Sequence, residues 1–427
     1  MKIIIRFFKK YFKRIIVLMA RGILWRFRPT IIGITGSNGK TSTKFAIYAA
    51  IKELKNVRVA KENLNTPLGI SATIIGNYSH LEGFFIWMRI FFKGILVLFF
   101  SLRYPKILIL EYGIDRPRDM KKLVLIAKPR IAIFTSLPEV PVHIEFFEGR
   151  EGVFNEKVRL FEVLPTAGFA VLNADEEIIM STRMRTRAKV ITFGFNNKAD
   201  VRISNYEIKQ DEAGYPLGIV FKISYGGVTL PVKLDRSLGK GHVYAVSAAV
   251  TTAIIMGENL IKVVERISDQ YEPFEHRMEI SRGIKDTFII DDTYNASPLS
   301  MTEAILTLKS LNPKRRVAVL GDMLEIGEYT IEAHEIVGKE IANDLGLLIT
   351  VGPRARFIAE SAKRHGMSPR KIISFDTNDE VCHRIEEFIK SGDVILLKAS
   401  RGIGLEKVVE DIRMPEEVFA RNYKLSM

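Results

Sequence analysis

The run Ile31-Ile32-Gly33-Ile34-Thr35-Gly36-Ser37-Asn38-Gly39-Lys40-Thr41-Ser42 holds the residue types that grip a polyphosphate. Glycines let successive backbone N–H groups turn toward phosphate oxygens, and a helix opening behind them adds partial positive charge at its N-terminus. Lys40 would neutralise the terminal phosphates, and the Thr41 hydroxyl would reach a Mg²⁺ ion bridging them. Gly36, Ser37, Asn38, Gly39, Lys40, Thr41 and Ser42 are therefore the expected nucleotide set, with ATP and Mg²⁺ as cofactors. The spacing is tighter than that of the general phosphate loop, which has glycine where Ile34 stands.

Three further residues carry chemistry if the fold brings them to this loop. Glu111 closes an apolar run, His143 follows a Pro-Val turn, and Lys157 lies in a helical pattern. A carboxylate at a strand end and a nearby imidazole are ligands that could hold Mg²⁺ against phosphate. Taken singly, each also reads as a surface acid, a hydrogen-bonded histidine or a solvated lysine.

The elements that must position these residues alternate. Buried-strand runs at Thr30–Thr35, Lys106–Leu110, Arg130–Thr135, Phe169–Asn173 and Lys189–Phe193 are separated mostly by helical patterns, the first of them reaching Lys52. This predicts a parallel sheet covered on both faces. Residues 201–234 alternate apolar and polar, with turn signals at Ala213–Gly214 and Gly226–Gly227, which predicts a small antiparallel patch. A Pro-containing charged stretch, Gln270–Arg277, reads as a hinge. Beyond it, apolar strands at Thr287–Asp291, Arg316–Leu320, Leu347–Val351, Lys371–Phe375 and Val394–Leu397 predict a second α/β unit. The expected class is α/β: a central P-loop ATPase domain over 29–272 and a C-terminal Rossmann-like domain over 273–427.

The formal charge of +14 is not that of a nucleic-acid-binding face. Residues 1–28 hold nine basic residues and no acidic one, and the remaining excess is scattered among acids. The lone Cys382 leaves neither an intramolecular disulfide nor a thiol zinc site, which fits the cytoplasm. In the tail, Lys2, Arg6, Lys9 and Lys13 recur at helical steps among Phe7, Phe8, Phe12, Ile15, Ile16 and Trp25. Its uncharged run is too short for a signal peptide or a spanning helix. It reads as an in-plane anchor on the inner face of the plasma membrane, or as a helix packed on the protein's own body. Phe84–Phe100, interrupted by Arg89, Lys93 and Gly94, reads as a second interfacial insertion or as a core helix.

The tight loop Thr35-Gly36-Ser37-Asn38-Gly39-Lys40-Thr41 resembles that of the Mur ligases, which join amino acids or peptides to cell-wall precursors. Other motifs fall in that family's order: Asn63-Leu64-Asn65-Thr66-Pro67-Leu68-Gly69, Glu111-Tyr112-Gly113, His143, Lys157 and Asn173-Ala174-Asp175-Glu176. The resemblance implies that Glu111, His143, Lys157 and Thr41 gather metal ions, that Lys157 is carbamylated, and that Asn65 and Thr66 face substrate. Farther on stand His276-Arg277-Met278-Glu279 and Asp291-Asp292-Thr293-Tyr294-Asn295-Ala296-Ser297-Pro298. They are followed by Leu320-Gly321-Asp322-Met323-Leu324-Glu325-Ile326-Gly327 with His334, and by Lys398-Ala399-Ser400-Arg401. These are similar to the branch that adds D-alanyl-D-alanine to a muramoyl-tripeptide. The resemblance makes Arg277 and Asn295 nucleotide contacts across the hinge, and Lys398, Ser400 and Arg401 holders of the incoming amine.

Two departures stand beside it. Gly239-Lys240-Gly241-His242 occupies the place of a Gly-x-His-Asn motif. The phosphate loop also follows only a short basic tail where the family has a domain for the UDP-sugar end of the acceptor. The implied partners are thus a muramoyl-peptide precursor, D-Ala-D-Ala and a membrane surface, with no nucleic acid. Rival readings are a related ligase using another amino acid or a lipid-linked acceptor, and a non-catalytic membrane-bound scaffold.

Overall fold

The computed structural model describes residues 2–53, 56–78, 80–212 and 214–415, with side chains from residue 11 onward. Ala213, the side chains of Lys2, Arg6, Phe7, Phe8 and Lys9, and residues 416–427 lie outside it. The first sheet has nine strands: β1 (Thr30–Thr35), β2 (Val57–Val59), β3 (Ile107–Glu111), β4 (Ile131–Phe134), β5 (Phe169–Asn173), β6 (Lys189–Gly194), β7 (Val201–Gln210), β8 (Pro216–Tyr225) and β9 (Val228–Asp235). They lie in the order β2-β3-β1-β4-β5-β6-β7-β8-β9, parallel as far as β7 and antiparallel beyond. The central strands are apolar on both faces, as strands between two helical layers must be. The expected antiparallel patch is thus no separate unit; it continues the parallel sheet through the pairing Phe193↔Val201.

The second sheet contains β10 (Glu279–Gly283), β11 (Thr287–Asp292), β12 (Arg315–Gly321), β13 (Leu347–Val351), β14 (Ile372–Phe375) and β15 (Asp393–Lys398). Their order is β10-β11-β15-β12-β13-β14, with only β10 antiparallel. This is the Rossmann-like domain, entered just after the expected hinge. Two short strands, β2 and β10, were not expected.

The N-terminal tail is a helix over Lys2–Phe27, and Phe84–Ile95 is a second helix whose last turn, Leu96–Phe100, widens to π geometry. Both pack on the body. Ile16, Met19, Ala20 and Ile23 from the first and Ile90 and Val97 from the second enter one core with Ile70, Ile74, Leu108 and Leu110. Each fully buried isoleucine contributes about 1.5–3 kcal/mol, so the tail is a structural layer rather than a free arm. No helix among the described residues is long and apolar enough to cross a membrane.

Candidate active site

The parallel sheet delivers the phosphate loop to the C-terminal end of an inner strand, β1. β1 ends at Thr35, and the chain turns through Gly36 (φ +143°) and Gly39 (φ +80°) into the helix Lys40–Ile51. Gly36 has no substitute: a Cβ there would lie 2.0 Å from Thr135 Oγ1. The β4 exit holds the loop in place. Ser37 N donates to Ser136 O (2.7 Å), Asn38 N to Ser136 Oγ (3.1 Å), and Thr135 Oγ1 to Asn38 O (2.6 Å).

Two lysines converge on one carbonyl. Lys40 Nζ donates to Gly36 O at 2.8 Å and to Ser37 O at 3.0 Å, and Lys157 Nζ donates to Gly36 O at 2.9 Å. Burial draws Lys40 down to about 8, although Glu111 pulls the other way. Lys157 is pushed well below the ordinary lysine range, first by burial and then by Lys40. A phosphate anion entering the loop would relieve both.

Glu111, at the end of β3, is buried beside the first turn of the loop helix. Thr41 Oγ1 donates to its Oε2 at 3.4 Å, and Lys44 Nζ lies 2.9 Å from its Oε1 without the alignment of a hydrogen bond, leaving that oxygen without an aligned donor. One carboxylate, one hydroxyl and a place for phosphate oxygens suit Mg²⁺, which keeps several waters and rarely takes an all-protein cage. Among the described residues, no cluster of three or more His, Cys, Asp or Glu forms such a cage. His143 lies with Nε2 3.3 Å from Asp115 Oδ1 and Nδ1 3.2 Å from Glu325 Oε2. Burial lowers its pKa to about 4 against the pull of Asp115, so the ring is neutral at pH 7 and can offer a lone pair.

The C-terminal domain closes the cleft from the opposite side. Arg277 Nη2 reaches Thr41 Oγ1 at 3.3 Å while its guanidinium lies over the Tyr294 ring, and Asn38 Nδ2 donates to Ser297 Oγ at 3.1 Å. Arg277 stands between two non-glycine residues of positive φ, His276 (+64°) and Met278 (+51°). Such backbone costs about 1–3 kcal/mol per residue and persists only when surrounded by fixed partners. Here Tyr294 N donates to His276 O, Leu238 N donates to Met278 O, and His276 Nδ1 pairs with Asp291 Oδ2 at 2.8 Å. His242 is buried; its Nε2–H donates to Arg277 O at 2.8 Å and its Nδ1 accepts from Tyr271 OH at 2.7 Å. The altered glycine-lysine-glycine-histidine motif therefore supplies the residue that fixes the arginine backbone.

Most of the residues expected to act line one cleft: Gly36–Ser42, His143, Lys157, Asn65, Arg277, Asn295 and Lys398, with Glu111 at its floor bonded to Thr41. Lys398 Nζ is paired with Asp292 Oδ2 at 2.5 Å and donates to Asn295 O at 2.9 Å. Three others stand outside. Thr66 is a helix cap whose Oγ1 accepts from Gly69 N. Ser400 is buried behind the turn, its Oγ accepting from Leu324 N. Arg401 stands against Tyr294 in a neighbouring cleft with Phe45 and Phe274. Asp115, Lys240, Asp292, Tyr294 and Glu303 line the main cleft without having been singled out as site residues. Burial raises Glu303 to about 7, against the pull of Lys398.

A phosphate loop at the end of a parallel sheet, met by an arginine from a Rossmann-like domain, defines an enzyme that spends a nucleoside triphosphate between two domains. Residues 94–253 match the Mur ligase middle domain, and residues 276–401 match the Mur ligase glutamate ligase domain. The chain belongs to the Mur ligase family and is an ATP-dependent ligase. It is 27% identical over 396 residues to the UDP-N-acetylmuramoyl-tripeptide–D-alanyl-D-alanine ligase of Bacillus subtilis (strain 168), covering 92% of this chain and 78% of that protein. The MurF ligase of Thermotoga maritima, solved in complex with ADP, superposes with a TM-score of 0.76 at 25% identity, over 93% of this chain and 83% of that one. A pseudomurein peptide ligase type C from Methanothermus fervidus shares the fold, with a TM-score of 0.62 at 18% identity over 90% and 79% of the two chains.

Proposed function

We propose that this enzyme adds D-alanyl-D-alanine to the terminal carboxylate of a muramoyl-tripeptide precursor in the cytoplasm. The observation that carries the reading is one cleft in which Lys40, Thr41 and Lys157 face Arg277, Asn295 and Lys398 across the domain boundary. The acceptor carboxylate attacks the γ-phosphorus of ATP, an acyl phosphate forms and ADP departs. The dipeptide amine then attacks the acyl carbon, gives up a proton, and phosphate leaves as the amide closes. Lys40 and Arg277 face the charge that develops on the transferred group. Asn63, Asn65, Lys398 and Asp292 all line the cleft; on this reading the two asparagines serve the acceptor, and Lys398 with Asp292 serves the amine. Glu303, with its pKa near neutrality, can take the amine's proton. Glu111 and the Thr41 hydroxyl would hold Mg²⁺, and His143, with Lys157 only in its carbamylated form, would serve a second ion; a metal bound there would neutralise phosphate charge.

Phosphate release from ATP, measured with the muramoyl-tripeptide acceptor with and without D-Ala-D-Ala, tests the reading. Release that requires both substrates is the expected result. Release that requires the acceptor but responds to glutamate instead would give the chain the chemistry of a different branch, as the shared pseudomurein-ligase fold allows.

A further inference from the structure

We propose that the outward face of the two paired helices, Lys2–Phe27 and Phe84–Ile95 with its π turn, docks in the plane of an anionic phospholipid leaflet. The pair is a fixed unit. Phe12 meets Phe91 with ring centroids 5.7 Å apart, Leu98 crowds Gly22, and Arg26 donates to the carbonyls of Val97 (3.0 Å) and Ser101 (2.9 Å). With the stripes Ile16, Ala20, Ile23 and Ile90, Gly94, Val97 turned into the body, the opposite stripes face outward.

Those outward stripes are apolar and aromatic. Ile15, Leu18 and Trp25 recur at helical spacing on the first helix, and Phe85, Phe92, Leu96 and Phe99 on the second. Trp25 is 76% exposed, Phe85 85% and Phe100 72%. A helix covering a water-soluble body turns its polar side outward; here the exposed residues between the aromatics are Arg14, Arg21, Arg28, Arg89 and Lys93. Neither segment 2–28 nor segment 84–103 contains an acidic residue. That uniform charge opposes pairing with a second copy of the same face and complements anionic headgroups. Aromatics immersed at headgroup depth with arginines and lysines reaching back to phosphates is the arrangement of an in-plane anchor. The aromatic, arginine-bearing geometry also differs from a spanning element, since no described helix could cross a bilayer.

Docking would also orient the enzyme. Lys13, Arg14, Val17 and Leu18 border a shallow pocket with Thr66, Pro67 and Leu68, and this loop continues to Asn63 and Asn65 in the active cleft. The acceptor side of the cleft therefore lies directly beside the face that meets the lipid. This inference concerns binding alone and does not depend on which amide the enzyme makes.

Sedimentation of the full chain with phosphatidylcholine vesicles, with and without phosphatidylglycerol, reads the docking. The expected result is binding to the anionic vesicles, weakened about tenfold or more on neutral ones and by high salt. Trp25 and Trp87 are the only tryptophans, so in Trp87→Phe the emission reports Trp25 alone. Its spectrum should shift to the blue on anionic vesicles and be quenched by brominated lipid. Phe99→Ser with Phe100→Ser should lose vesicle binding while the thermal midpoint and ATP turnover in solution stay unchanged. Absence of sedimentation together with an unshifted Trp25 would overturn the proposal. So would a concentration-dependent dimer in ultracentrifugation that buries Trp25 without lipid, since that would give the face to a second copy.

Discussion

The chemistry of this enzyme is concentrated in a few side chains whose burial sets their charge. Lys157 is the sharpest case, a buried amine bonded to the Gly36 carbonyl with Lys40 as its cationic neighbour. The neutral amine that burial favours is the form that reacts with carbon dioxide, and the resulting carbamate anion would pair with Lys40. With ¹³C-labelled bicarbonate, a carbamate carbon signal is expected in the wild-type protein and absent in Lys157→Met. A spectrum with no such signal would leave Lys157 as an unmodified amine that donates to the loop carbonyl.

His242 illustrates the same physics in the scaffold. Its folded pKa lies near 4, below the ordinary value of 6.5, because burial disfavours the imidazolium. Between those values the unfolded chain binds the extra proton. The stability from this residue is therefore complete above pH 6.5 and falls as the pH drops toward 4, by up to about 3 kcal/mol. In His242→Phe that part of the acid sensitivity should disappear in denaturant melts. Turnover should also fall, because the backbone of Arg277 loses its donor. Melting curves with the same acid slope as wild type would show the pH dependence to arise elsewhere.

At the scale of elements, the legible parts were those whose local sequence decides their form. β1, β5 and β13 are short, largely apolar runs, and the structure keeps their expected ends. β2 is three residues with a central arginine, and β10 carries Glu279 and Arg282 beside residues of positive φ. Neither has a pattern strong enough to announce a strand; tertiary pairing makes them. The same division runs through the site. Residues at strand ends and in the phosphate loop were legible because their backbone context is local. Asp115, Lys240 and Glu303 were not, since they reach the cleft only when loops and helices from distant parts of the chain meet. Thr66, expected to face substrate, is also the cap of its helix, a role that a Ser/Thr before Pro at a helix start commonly takes. Thr66→Ala should cost about 1 kcal/mol in stability and leave KM for the acceptor nearly unchanged. Asn65→Ala should do the reverse, raising KM with little effect on the thermal midpoint. Equal KM effects from the two would return Thr66 to the substrate side.

Across the whole molecule, two kinds of contact join the domains, and their difference defines how the cleft works. Away from the nucleotide, Tyr215 stacks on Phe288 with centroids 4.1 Å apart, and their surroundings merge into one core. Over the phosphate loop the contacts are polar and few: Asn38 to Ser297, Arg277 to Thr41, and His143 N to Glu325 O at 3.1 Å. Apolar packing costs more to part than a few polar contacts, so any opening of the cleft is expected to begin at the phosphate side. On the proposed mechanism Arg277 meets the nucleotide from the C-terminal domain, so it should matter more to the chemical step than to nucleotide capture. Arg277→Lys keeps the charge but loses the planar group stacked on Tyr294. It should lower kcat about 10- to 100-fold while the affinity for ATP, read with a fluorescent analogue, changes less than about threefold. A loss of affinity as large as the loss of kcat would mean that Arg277 holds the ground-state nucleotide, and that the cleft binds ATP already closed.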